Sequence, residues 1–233
     1  MIRTAITGMA FHVPEKIVTN ADLETMMNTS DEWIRTRSGI HERHWVNDGE
    51  GASDLSLIAS ASAMADAGVE SSDIDMVIAA TVSSDYYFPG VAVQLQEMMG
   101  MDTIGAFDMR VGCSAFIYGL SVADQFIKTG YCNTILLIGT DVISSILEKN
   151  PEGRDVGVLF GDGAGAVILQ PSKNGSGILS THMHSEGKYM KELWVELPGS
   201  KFDERGLTDE FMDQKRHRLF MNGREVYLCW REG

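Results

Sequence analysis

Two stretches of the chain, MVIAAT at 76–81 and TILLIGT at 134–140, are apolar without interruption rather than alternating. Continuous apolar strands are buried on both faces, so they predict a mostly parallel sheet layered between helices. Further strand patterns fall at 4–8, 105–109 and 164–170. Between them, apolar positions recur at spacings of three and four over 54–67, 89–99 and 114–128, which predicts helices. Each helical stretch is followed by a glycine, Gly68, Gly100 or Gly130, able to take the left-handed cap conformation cheaply. The order is α/β. The stretch PSKNGSG, 171–177, reads as a turn between strands, and no repeat or low-complexity tract is visible.

One strand-to-helix junction carries candidate chemistry. In AFDMRVGCSAFIYGLSVADQF, 106–126, the strand breaks at Gly112 and a helix is expected to begin on Cys113, with Phe116, Leu120, Ala123 and Ile127 on one face. The unpaired N–H groups and positive dipole end of a helix's first turn stabilise a thiolate. A lone cysteine in an apolar segment is ordinarily a small buried hydrophobe. The sharp turn beside it favours a nucleophile instead, in the manner of a nucleophile elbow.

Composition narrows the field. The chain has 233 residues, 44% hydrophobic and 22% charged, as in an ordinary globular protein of one or two domains. A formal net charge of -14 disfavours non-specific binding to nucleic acid or anionic membrane. Cys113, Cys132 and Cys229 form no CxxC pair, and an odd count suits a reducing compartment. With no signal-peptide core and no apolar run of membrane-spanning length, a cytoplasmic protein is expected.

Other motifs carry less. GDGAGA, 161–166, is spaced GxGxG and followed by strand-like AVILQ, so it reads as a backbone crossing between strands rather than a phosphate cradle. His182 and His184 would share one face of a strand, but no third ligand has suitable spacing and no metal is expected. The basic run KRHR, 215–218, reads as a solvated helix face, with a docking patch for an acidic partner as the other reading.

Several strings together resemble β-ketoacyl-acyl carrier protein synthase III of the thiolase superfamily. They are TSDEWIRTRSGIHER (29–43), DYYFPG (85–90), VGCSAFIYGL (111–120), RDVGVLFGDGAGAVIL (154–169) and MNGREVY (221–227). The resemblance covers the first two-thirds of a family member. It implies a thiolase-like layered fold, with residues 1–171 as the N-terminal half and 172–233 as the incomplete start of a truncated second half.

The resemblance also implies a reaction. Cys113 would accept an acyl group from a short acyl-coenzyme A and condense it with malonyl-acyl carrier protein by decarboxylation, starting fatty acid synthesis. Both are substrates, and no cofactor is implied. Trp33 and Arg154 would sandwich the adenine, with Arg37 and Thr29 near the nucleotide phosphates. Met221, Gly223 and Tyr227 would lie beside the pantetheine arm. Phe88, which reaches across a dimer interface in the family, would join Ile143 and Phe160 in limiting the acyl pocket, so a homodimer is implied.

The family's histidine in a PHQAN-type motif and asparagine in an NTSAAS-type motif are absent, and the chain ends in LCWREG. Those two side chains donate hydrogen bonds to the developing enolate, and losing one such donor costs roughly a hundredfold in rate. The resemblance places His12, His41, His44 and His217 away from the thiol. The alternatives are therefore a non-catalytic thiolase-like subunit that binds acyl-coenzyme A or pairs with an active partner or complementary half, and another condensing enzyme of the superfamily.

Overall fold

A computed structural model describes residues 2–232, with side chains described through Leu228. In chain order the elements are β1 (Thr4–His12), β2 (Ile17–Thr19), α1 (Asn20–Met26), α2 (Asp31–Ser38), β3 (Glu42–His44), α3 (Ala52–Ala67), β4 (Met76–Ala80), α4 (Val91–Met98) and β5 (Gly105–Met109). They continue with α5 (Ala115–Lys128), β6 (Ile135–Val142), α6 (Arg154–Gly157), β7 (Asp162–Pro171), β8 (Leu193–Trp194), α7 (Asp209–Asp213), β9 (Phe220–Met221) and α8 (Gly223–Glu232). None of the described helices is long and apolar enough to cross a membrane.

The chain forms two compact units that interleave along the sequence. The first comprises residues 1–17, 44–142 and 161–183, and the second residues 18–43, 143–160 and 184–233.

The first unit is built on a five-stranded sheet of order β1-β7-β6-β4-β5. β4 pairs in parallel with both β5 and β6, while β7 runs antiparallel to β6 and to β1. Four strands thus point one way and β7 is reversed, so the sheet is mostly parallel. Its continuous apolar strands face two layers. Val77, Ala79, Leu136 and Ile138 pack with Leu55, Ala59 and Ala63 of α3 and with Leu95 of α4. Ile78, Ile135 and Leu137 pack with Ala123 and Ile127 of α5.

The helix limits follow from their caps. Gly68, Gly100 and Gly130 take φ of 68°, 60° and 75°. α4 begins at Val91 because the Asp108 carboxylate on β5 accepts the Val91 and Ala92 N–H groups at 2.8 and 2.9 Å. β1 runs on to His12, past the expected end at Gly8, because β7 continues to pair with it. Two expectations fail. Residues 180–184 form no strand, so His182 and His184 share no strand face, and the 171–177 turn leads into irregular chain rather than a strand.

In the second unit, Thr19 caps α1 reciprocally with Asp22, and Ser30 caps α2 by accepting the Trp33 N–H at 3.1 Å. The buried Arg43 guanidinium donates to the Val18 and Val158 carbonyls and to Asn20 Oδ1. The basic run is a turn, not a helix face, and its charges are engaged within the chain. Lys215 pairs with Glu148, Arg216 with Glu196, and Arg218 donates to the carbonyls of Ser145 and Leu147.

Candidate active site

β5 ends at Met109, and the chain turns through Gly112, whose φ of 59° suits a residue without a β-carbon. Cys113 lies in a single 3-10 turn, Gly112–Ser114, that runs into α5 at Ala115. The α-helix therefore starts two residues later than expected, since the Ala115 N–H bonds back to the Gly112 carbonyl and tightens the first turn. The thiol side chain is exposed.

Cys113 lines a cavity of about 240 Å³ together with Ala80 of β4, Phe116 of α5, Gly139, Thr140 and Asp141 of β6, and Gly161 and Gly163. It lies at the carboxyl ends of parallel strands, where open α/β sheets place ligands. β7 begins at Asp162, two residues before the expected 164, so most of GDGAGA belongs to the strand and is not a crossing before it; Gly161 and Gly163 supply cavity wall, which spacing alone did not reveal. Asp141 was also missed. The readable signal was an acid closing the otherwise apolar strand ILLIGTDV.

The Asp141 carboxyl is pushed above the usual carboxylate range by burial, opposed by hydrogen bonds from Val82, Ser83 and Thr81. The second cysteine with a described side chain, Cys132, is buried at 1% exposure, and burial followed by the nearby Asp75 charge pushes its thiol up. These two thiols thus occupy opposite environments.

In the second unit, the guanidinium carbons of Arg37 and Arg154 each stand 4.6 Å from the Trp33 ring centroid. Arg154 also donates to the Asn28 carbonyl at 3.1 Å and pairs with Asp155. Thr29 lies on the same approach to α2, and its hydroxyl oxygen is buried without a partner. Four side chains named from the sequence for nucleotide binding thus belong to one unit, three of them on a shared ring.

The remaining candidates are more scattered. Phe88 is 85% exposed on the loop between β4 and α4 of the first unit. Ile143 is buried and Phe160 half-buried in the second unit, where Met221 sits on β9 and the exposed Gly223 and Tyr227 on α8. His182 and His184 are exposed, and among the described residues no group of three His, Cys, Asp or Glu is placed to hold a metal ion.

The family of 3-oxoacyl-[acyl-carrier-protein] synthase III matches residues 107–187. β-Ketoacyl-[acyl-carrier-protein] synthase III of Caldanaerobacter subterraneus subsp. tengcongensis is 42% identical over 226 residues, covering 97% of this chain and 67% of the relative. The Aliivibrio fischeri protein of the same name is 42% identical over 222 residues, covering 95% of this chain and 66% of its own. The chain spans about two thirds of the length of these relatives. Among solved structures, the synthase III of Aquifex aeolicus VF5 superposes with a TM-score of 0.85 at 34% identity, over 97% of this chain and 67% of that one. The Thermus thermophilus synthase III matches at 0.85 and 33%, with the same two coverages. The thiolase-like fold expected from the motifs is therefore the fold observed, and the chain belongs to the β-ketoacyl-[acyl-carrier-protein] synthase III family.

Proposed function

We propose that Cys113 accepts an acyl group from a short acyl-coenzyme A. Its thiolate attacks the thioester carbonyl, a carbon–sulfur bond forms, and the coenzyme A thiol leaves, taking up a proton. In the second half-reaction, malonyl-acyl carrier protein loses carbon dioxide and the resulting carbanion attacks the acyl carbon. The Cys113 thiolate is released and a β-ketoacyl product forms, the chain-starting step of fatty acid synthesis. The observation that carries this reading is an exposed cysteine in a cavity at the carboxyl ends of a parallel sheet.

Trp33 and Arg154 take the adenine, Arg37 and Thr29 the nucleotide phosphates, and Met221, Gly223 and Tyr227 the pantetheine arm. Phe88, Ile143 and Phe160 bound the acyl group. Support comes from the shared ring of Trp33, which offers a stacking face, and from the unpartnered Thr29 hydroxyl. The carrier protein and a second copy of the chain are the proposed partners, in a reducing cytoplasm that keeps the thiol free.

The test is incubation with acetyl-coenzyme A followed by intact mass and peptide mapping. One acetyl group on Cys113 supports the reading, and no acetyl group on a folded chain whose Cys113 still alkylates refutes it. A second reading, acyl-coenzyme A binding without condensation, is separated by the same experiment. Acetylation of Cys113 with no consumption of malonyl-acyl carrier protein would select it.

A further inference from the structure

The acyl-transfer chemistry above leaves one charged side chain of the Cys113 cavity without a task. Asp141 stands near the end of β6, and its Oδ1 accepts three hydrogen bonds from one short turn that follows β4. The donors are Thr81 Oγ1 at 3.2 Å, the Val82 N–H at 2.9 Å and Ser83 Oγ at 3.0 Å. The staple is reciprocal, because Ser83 Oγ also accepts the Val142 N–H at 2.7 Å and Thr81 Oγ1 accepts the Ser83 N–H at 3.1 Å.

The arrangement has a physical logic. β4 and β6 are parallel neighbours, and their ladder ends with Ala80 opposite Gly139. Beyond that pair the Thr81 N–H still reaches the Met109 carbonyl of β5 at 3.2 Å, whereas the half-buried Val82 N–H needs another acceptor and finds it in Asp141. A single oxygen receiving three donors, one of them backbone, fixes the turn more tightly than any one bond. Ala80, immediately before that turn, and Asp141 itself both line the cavity that holds Cys113. An acceptor of this kind at the end of an apolar strand is costly to bury, so packing alone does not account for it.

We infer that Asp141 is a positioning residue for acyl transfer to Cys113, holding the 81–83 turn and with it the cavity wall against which the thioester seats. The inference rests on the acyl-transfer reading proposed above. It assigns Asp141 no contact with the reacting atoms. The required property is an oxygen acceptor at Oδ1, which asparagine retains and alanine lacks.

The experiment compares wild type with Asp141→Asn, Asp141→Ala and Ser83→Ala. Cys113 acetylation by acetyl-coenzyme A, and its alkylation by small iodoacetamide and bulkier N-ethylmaleimide, are followed by peptide mass. Misplacing reacting groups by about 1 Å costs about a hundredfold. Asp141→Ala is therefore expected to lower acetylation at least about 30-fold while iodoacetamide alkylation changes less than about 3-fold, with Asp141→Asn within about 5-fold of wild type and Ser83→Ala between. The inference is overturned if Asp141→Ala acetylates at the wild-type rate, or if Asp141→Asn fails as badly as Asp141→Ala. Should Asp141→Ala not fold, Asp141→Asn and Ser83→Ala decide in the same way. If wild type takes no acetyl group, the acyl-transfer reading falls on its own. The ratio of the two alkylation rates then still decides, and a ratio unchanged in Asp141→Ala and Ser83→Ala overturns the role of Asp141.

Discussion

The Arg154 guanidinium carbon stands over the Trp33 ring, 4.6 Å from its centroid, within cation–π range. A base inserted between two stacking planes needs a gap of roughly 7 Å. The proposed adenine site between them therefore requires Arg154 to swing outward. Its other tethers are weak, one hydrogen bond to the Asn28 carbonyl and an ion pair with the exposed Asp155, so the movement is inexpensive.

This relationship sets the first prediction. Trp33→Ala removes the stacking face and is expected to weaken coenzyme A binding about 10-fold or more, with Arg154→Ala weakening it about 3- to 10-fold. Calorimetric titration measures both. Unchanged affinity in Trp33→Ala would remove the nucleotide role from this ring.

The two cysteines of opposite environment should react in sequence. Iodoacetamide at neutral pH is expected to modify exposed Cys113 within a short pulse and to leave Cys132, buried and shifted toward the thiol form, unmodified until denaturant is added. Peptide mapping after the pulse reads both sites. Modification of Cys132 first would contradict the packing between α5 and the sheet.

Much of this was legible in the chain because local and global signals agree. The unbroken apolar runs at β4 and β6 gave the doubly covered sheet, and the glycines after α3, α4 and α5 marked their ends. Where partners are distant in sequence, the reading stopped. The start of α4 depends on Asp108, which lies 17 positions after Val91. Asp141 meets Thr81, Val82 and Ser83 from 58 to 60 positions away. The KRHR run looked solvated because Glu148 and Glu196 are not neighbours in the chain. The pattern STHMH alternates like a strand but pairs with no strand and stays irregular.

Gly112 offers a direct test of the turn that presents the nucleophile. Its φ of 59° is left-handed, and an added β-carbon would meet nothing within 4 Å, so the cost of alanine is backbone strain alone. Gly112→Ala is expected to cost about 1–2 kcal/mol and to lower Tm by about 2–8 °C. Cys113 alkylation should change with it, since the strain is relieved by rotating the adjoining 3-10 turn. Calorimetry and the pulse-labelling rate measure the two effects, and an unaltered Tm would show that the turn is not left-handed.

His217 sets a pH dependence. Burial is the main cause holding its imidazole below the usual histidine value of 6.5, with Arg218 adding to the effect and Glu148 opposing it. Its Nδ1 is buried without a partner. Protonation is thus harder in the folded state than in the unfolded one. The stability tied to the neutral ring is present above the unfolded value and is lost as pH falls through it toward the lower folded value. The urea midpoint of wild type is expected to fall between about pH 7.5 and 5.5, and His217→Gln should flatten that fall. Parallel slopes in the two proteins would assign the pH dependence elsewhere.

The edge strand of the sheet carries the last prediction. Met9 and Phe11 of β1 are 61% and 77% exposed, and with Phe116, Gly165 and Val167 they line an apolar groove of about 790 Å³. β1 pairs with β7 on one side only; its Met9 N–H donates to Asp66 and its Thr4 carbonyl accepts the Ile178 N–H, while the Met9 and Phe11 side chains stay exposed. Exposed apolar area of this kind promotes association. The purified chain is expected to bind 8-anilinonaphthalene-1-sulfonate and to elute with a concentration-dependent mass. Met9→Lys with Phe11→Glu should reduce both, because each places a charge in the groove without removing a buried contact or a ladder hydrogen bond. Light scattering coupled to size exclusion gives the mass, and circular dichroism confirms that the sheet persists. If the doubly charged variant associates as strongly as wild type, the contacts responsible lie outside the β1 face.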